Sequence, residues 1–434
     1  MSLTRRDALK WAAALPFASA AFAQKPKPSD EFPITGVADD RLKPLDDLIS
    51  TYVIRNGLPG AAVALTRHGK LVYARGFGYA NVEKKVPVQP TSLFRIASVS
   101  KPITAVAVLQ LVEKKLLKLE APILDYVTLK PFLEPKAKVD PRWKKVTVRH
   151  CLQQTGGWDR DLSLDPCTDT WAVAKALGTT PPLTPEQVTR YALGRPLDFD
   201  PGERYCYANQ SYLLLGRAIE KVSSAKYEEH VRKRVFAPLK VTAPRLARGT
   251  PPNRPKTEVS YYDAKGETCT SFYPPTAGQV VPTPDGGLNV EGYEAHGGWV
   301  ASAVDLVKFT AAFDDPAKCP LLSEESVKEM WARPDGAAGY TRGRPTEVYY
   351  GCGWSVRPIG NAGKVNAWHY GLISGTSTVI VRRNDGFAWA LLLNTDRIKG
   401  TKTEAAQGVA EKIHAAVDAV TEWPDTDQFE KLVK

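Results

Sequence analysis

A chain of 434 residues with 43% hydrophobic and 24% charged residues has the composition of a soluble globular protein of two or three units, or of one large two-lobed enzyme, and not of a disordered, collagen-like or many-spanning membrane chain. The net charge of +11 comes from 58 Lys and Arg. They are scattered without a long block of like charges or a recognisable nucleic-acid module, so no nucleic-acid partner is expected.

At the start of the chain, Arg5-Arg6 precedes an apolar run over residues 11–23 that ends in Ala21-Phe22-Ala23. The run is too short to cross a hydrocarbon core about 30 Å thick and reads as a cleavable signal over residues 1–23. Its paired arginines resemble a twin-arginine export signal. No cysteine lies near the cut, so no stable membrane anchor is expected, and the mature protein should be periplasmic or secreted. Six cysteines (Cys151, Cys167, Cys206, Cys269, Cys319, Cys352) would then meet an oxidising compartment, as disulfides or as buried thiols. None shows the C-x-x-C spacing of a metal or redox site, and the histidines include no His-Glu-x-x-His, so neither metal nor cofactor is expected.

Residues 44–55 carry Leu45, Leu48, Ile49 and Tyr52 at helical spacing, with Pro44 at the start, where its missing N–H costs nothing. Residues 61–67 and 71–77 read as strands around a His68-Gly69-Lys70 turn. Residues 98–285 read as helical and loop-rich. Further on, residues 351–356, 376–382 and 387–394 read as strands, with Asn384-Asp385-Gly386 at the last turn. A final helix shows one apolar stripe through Ala406, Val409, Ala410, Ile413, Val417 and Val420. An isolated hairpin is marginal, so strands from both chain ends should join one antiparallel sheet. The expected fold class is α+β: a sheet domain of residues 24–97 and 286–434 flanked by helices, and a helical lobe of residues 98–285.

The chemistry centres on Ser98-Val99-Ser100-Lys101, which opens a segment apolar on nearly every side. Such a helix belongs in the middle of a fold. Residues three apart share a helix face, and burial disfavours a charged amine, so a neutral Lys101 can take the Ser98 proton. Ser223 and Lys226 have the same spacing in a polar stretch that would desolvate nothing. Tyr207-Ala208-Asn209 stands just before an amphipathic helix, and an extended chain there turns both side chains to one side. A lysine beside the phenol is expected to lower its pKa and make it a proton shuttle. Tyr79-Ala80-Asn81 repeats the pattern at a strand end. A third element, His369-Tyr370-Gly371-Leu372, precedes the strand at residues 376–382. Gly371 permits close backbone approach, and an N–H there could complete an oxyanion hole with that of Ser98. His296-Gly297-Gly298 competes with it but precedes a helix.

The segment Phe94-Arg95-Ile96-Ala97-Ser98-Val99-Ser100-Lys101 resembles the nucleophile box of the serine β-lactamase and penicillin-binding-protein superfamily, in particular its class C-like branch with DD-peptidases, D-aminopeptidases and family VIII esterases. The resemblance continues through residues 146–157, 201–209, 297–309 and 350–394, with Tyr207 placed 109 residues after Ser98. It implies a β-lactamase/DD-peptidase-like fold and a periplasmic serine hydrolase that cleaves an ester or a peptide-like amide through a Ser98 acyl-enzyme. Lys101 and Tyr207 would be catalytic. Asn209, His369 and Gly371 would orient substrate, and the backbone N–H groups of Ser98 and Leu372 would form the oxyanion hole. Tyr370 stands where Thr or Gly is commoner, and a histidine at pH 7 is mostly neutral; both lower the expectation of efficient β-lactam cleavage. The alternatives are a true β-lactamase and a non-catalytic penicillin- or peptidoglycan-binding protein. A lipase lacks its Gly-x-Ser-x-Gly here, and a cysteine protease on Cys151 or Cys167 has no further support. Trp158, Trp299, Trp354 and Trp368 are candidates to line the cleft.

Overall fold

Eight strands make the frame of the protein in the computed structural model, which describes residues 32–360 and 363–432; the signal expected at residues 1–23 lies outside them. The strands are β1 (Ile34–Gly36), β2 (Gly60–Arg67), β3 (Lys70–Asn81), β4 (Tyr349–Tyr350), β5 (Ser355–Ile359), β6 (Lys364–Ile373), β7 (Thr376–Arg382) and β8 (Phe387–Leu393). They run in the order β1-β3-β2-β8-β7-β6-β5-β4, with every neighbouring pair antiparallel, and a short strand Val86–Pro87 adds a ninth to β3. The junction of the two chain ends is the β2–β8 pair, where Val63 lies opposite Leu391 and Leu65 opposite Trp389. Both ends therefore build one antiparallel sheet, as expected.

The period of two along β2 decides what covers each face. Ala61, Val63 and Leu65 face a layer made by α1 (Lys43–Arg55) and α6 (Gln407–Ala419), which bury Leu45, Ile49, Val53, Val409, Ile413 and Val417 there. Each such side chain contributes roughly 1.5–3 kcal/mol on burial. Ala62 and Ala64, with Ala390 on β8, belong to the core of the other face. Their small size lets α5 (Ala303–Ala311) lie close on β2 and β8. On this side the main core continues into α2 (Ser100–Glu113), α3 (Asn209–Ser223) and α4 (Val290–Gly297). As its composition predicts, α2 is buried almost all round, from Ser100 through Leu109.

Of the strand expected over residues 351–356, only Ser355 and Val356 are extended, as the start of β5; residues 351–354 form a turn between β4 and β5. Gly353 has φ of 84°, which ends the extended run, and a Cβ there would lie 2.9 Å from Ala105 Cβ and 3.1 Å from Lys101 O. The glycine thus lets the chain press onto the first turns of α2. Between residues 240 and 285 the chain is largely irregular. Its strand Arg245–Leu246 and the strand Phe94–Arg95 both pair with Trp299–Ala301, and this small sheet leads directly into the Ser98 turn.

Candidate active site

Ser98 sits in a single 3-10 turn, Ala97–Val99, that runs into α2. Ala97 before it has φ of 46° although it carries a side chain and is buried, a costly conformation that the surroundings must impose. The ties are visible. Ile96 N donates to Trp299 O at 2.9 Å, Thr378 Oγ1 donates to Ile96 O at 2.9 Å, and Ser100 Oγ donates to Ala97 O at 2.7 Å.

Lys101, one turn on, has no solvent-exposed surface. Its Nζ lies 2.9 Å from Asn209 Oδ1, 2.8 Å from His296 O and 3.1 Å from Ser98 Oγ. Burial pushes its pKa down to about 7; Asp165 and Cys167 pull it up, while Arg160 lowers it further. The amide and carbonyl oxygens can only accept. In the neutral amine they take the two N–H groups, and the lone pair is left facing the Ser98 hydroxyl.

Tyr207 OH donates to Ser98 Oγ at 2.7 Å. Backbone ties to the segment after α2 hold it there: Cys206 N donates to Gln154 O and Ala208 N to Gln154 Oε1, both at 2.9 Å. Ala208 is extended, with φ of −136° and ψ of 127°, so Tyr207 and Asn209 turn to the same side as expected. The expected lowering of the Tyr207 pKa is corrected. Burial raises it, outweighing the hydrogen bond to Ser98 and the Arg160 charge. Lys101 Nζ lies 4.7 Å from the ring centre, but its amine is already neutral at the high pH where the phenol would ionise and adds no charge there. The resting tyrosine is a phenol, and Lys101 is the group able to accept a proton.

The third element lies at the end of β6. β5 pairs with β6 only from Lys364 to Trp368, so residues 369–373 turn an edge toward the Ser98 turn. At Gly371 a Cβ would stand 2.3 Å from Ile96 O and Thr378 Oγ1 and 3.2 Å from Ser98 N; only glycine fits. His369 is buried, and its pKa is pushed down to about 3, chiefly by burial and then by Lys101. Its Nδ1 donates to Tyr370 O at 2.7 Å, and its Nε2 accepts from Tyr350 OH at 3.0 Å. It is a neutral ring and not a charged anchor. Leu372 lines a cavity of about 440 Å³ together with Ser98, Tyr207, His369 and Tyr370.

Several residues of this site carried no sequence signal. Asp165 Oδ2 accepts from Asn209 Nδ2 at 2.9 Å and so orients the amide that holds Lys101. Arg160 lies over the Tyr207 ring, with Cζ 5.1 Å from its centre. Both come from the loop after Gly157, where neither periodicity nor a motif marks them. His296, set aside as a competing third element, contributes its carbonyl. The other look-alikes stay apart: Tyr79 and Asn81 lie in β3, and Lys226 is exposed beyond α3. Trp158, Trp299 and Trp354 are core residues and do not line the cleft, and neither does Trp368, which packs at the edge of the core on the α1–α6 face. All six cysteines are free thiols. Burial raises the pKa of Cys151 and Cys167 well above the usual thiol value, the reverse of what a cysteine nucleophile needs.

A family model described as Beta-lactamase matches residues 45–412. The chain belongs to the β-lactamase family. This β-lactamase-family chain is 24% identical over 367 residues to "Protein flp" of Staphylococcus aureus strain N315, covering 84% of this chain but 66%, just under two thirds, of that relative's length. Penicillin-binding protein 4* of Bacillus subtilis strain 168 is 25% identical over 80% of this chain and 70% of its own. Among solved structures, a D-amino acid amidase of Ochrobactrum anthropi SV3 with D-phenylalanine superposes at a TM-score of 0.66 with 23% identity, over 88% of this chain and 99% of that one. The superposition shows that this β-lactamase-family chain shares the fold of that amidase.

Proposed function

We propose that the protein hydrolyses an ester or peptide-like amide through a Ser98 acyl-enzyme. The observation that carries this reading is one oxygen, Ser98 Oγ, held between Lys101 Nζ at 3.1 Å and Tyr207 OH at 2.7 Å on a cavity of about 440 Å³, a volume ordinary for small-molecule sites. Neutral Lys101 takes the hydroxyl proton as Oγ attacks the carbonyl carbon. Tyr207 is placed to pass a proton to the leaving group and recover one from Lys101, and in the second half water is activated in reverse. The N–H groups of Ser98 and Leu372 receive the developing oxyanion, where a single donor is worth about 2.7–4 kcal/mol. Asn209, oriented by Asp165, keeps the Lys101 lone pair on Ser98.

A neutral His369 offers nothing to the carboxylate of a β-lactam, which favours esterase or amidase chemistry over β-lactam cleavage. Similarity to a D-amino acid amidase fits this preference at the level of fold. The paired arginines of residues 1–23 support export to the periplasm or medium. Small or peptide-like molecules are the proposed partners, with no cofactor. The test is labelling by a fluorophosphonate, read by intact mass, in wild type and Ser98→Ala. Mass added to wild type alone supports the nucleophile; equal labelling of both removes it. Turnover of p-nitrophenyl butyrate beyond one equivalent separates an enzyme from a protein that merely captures acyl groups.

A further inference from the structure

The cavity wall holds two arginines in different situations. Arg204 is neutralised: its Nη2 lies 2.8 Å from Asp159 Oδ2, and its guanidinium stacks on Phe199 at 4.0 Å. Arg160 has no such partner. Among the described residues no carboxylate lies within ion-pair distance of it, and its guanidinium rests on the face of the Tyr207 ring. Asp161, next along the chain, is exposed at the rim of the same cavity without pairing to it. Asp165 is directed to Asn209. Arg160 also lines a second cavity of about 460 Å³. Across the cleft stands His369, a neutral ring whose nitrogens are engaged by Tyr350 and Tyr370.

A guanidinium left without a carboxylate beside a nucleophile is suited to a planar anion, which it grips by paired charge-assisted hydrogen bonds. We propose that Arg160 is a specificity-determining residue that binds a carboxylate of the substrate, so that the enzyme prefers acyl donors carrying an acid group near the scissile bond. This rests on the serine-hydrolase reading and adds the substrate class to it. The recognition comes from the helical side of the cleft, on the wall that carries Tyr207.

The experiment compares matched esters: phenyl butyrate with monophenyl glutarate, which carries the acid on the acyl side, and phenyl acetate with 4-carboxyphenyl acetate, which carries it on the leaving group. kcat/KM is measured in wild type, Arg160→Gln and Arg160→Lys. Arg160→Gln changes the field at Lys101 and Tyr207 for every ester, so the quantity read is the anionic-to-neutral ratio within each protein. For one of the two pairs, that ratio should fall about 10- to 100-fold in Arg160→Gln, mainly through KM, and recover in part in Arg160→Lys. Added salt should weaken the wild-type preference. Equal loss on neutral and anionic esters would make Arg160 a mere buttress of Tyr207 and overturn the proposal while leaving the Ser98 mechanism intact. Failure of wild type to turn over any of the four would overturn both.

Discussion

Replacing Asp165 by Asn tests whether Lys101 is the base. At its ordinary pKa a lysine is neutral in roughly one molecule in 2,500 at pH 7. With the value pushed down to about 7, half of the Lys101 amines are neutral there, so burial supplies roughly a thousandfold of reactive base. Acylation should therefore rise about tenfold per pH unit below pH 6 and flatten above pH 8, with a midpoint near 7. Asp165 is the first group that opposes burial. Removing its charge while keeping an acceptor for Asn209 should move the midpoint to lower pH, so that the variant labels faster than wild type at pH 5.5 relative to its own plateau. The assay is the rate of fluorophosphonate labelling from pH 5 to 9, read by intact mass. A flat wild-type profile, or a midpoint that stays put or rises in Asp165→Asn, would refute the assignment.

The same burial bears on stability. The folded Lys101 pKa lies below its unfolded value, so between about pH 10 and pH 7 the unfolded chain holds a proton that the folded one lacks, and wild type loses stability as pH falls. Lys101→Met lacks this penalty; its urea-unfolding free energy relative to wild type should improve by about 2 kcal/mol from pH 9 to pH 7, while labelling of Ser98 is abolished. Gly371→Ala places a methyl 2.3 Å from Ile96 O and should cost about 1–3 kcal/mol and most of the labelling rate, measured by thermal melting and mass. Glu294 has φ of 34° and ψ of −106° and is held by the buried Arg217; two residues on, His296 O accepts from Lys101, and Ala295 O accepts from Thr104 Oγ1 at 2.7 Å. Glu294→Ala should release that kink, remove an acceptor that holds the ammonium more strongly than the neutral amine and shift the acylation midpoint to lower pH; an unchanged pH profile would reduce Glu294 to a structural role.

The parts legible in the sequence are those governed by local pattern. The short strand-forming runs of residues 61–67 and 376–382 and the apolar envelope of α2 reflect burial, which each residue meets alone. The spacing from Ser98 to Lys101 works because a helical turn is the same everywhere. What escaped depends on contacts between distant segments. Gly353 reads like any strand residue until α2 lies against it. Tyr207 was expected to respond to its cationic neighbour, yet enclosure of the whole phenol governs its ionisation. His296 took part through a carbonyl, and backbone atoms leave no trace in residue identity.

Asp159, Arg160 and Asp165 show how much one unpatterned loop can organise. Asp159 neutralises Arg204, Arg160 covers Tyr207, and Asp165 fixes Asn209, which in turn fixes Lys101. The wall that meets the substrate is thus continuous with the groups that set the charge of the base. A ligand carboxylate drawn to Arg160 would offset the positive charge that helps hold the Lys101 pKa down. Anionic substrates should accordingly show an acid limb at higher pH than neutral ones in kcat, and the two limbs should converge in Arg160→Gln. Uniform limbs in wild type would mean that the guanidinium and the amine do not sense the same ligand.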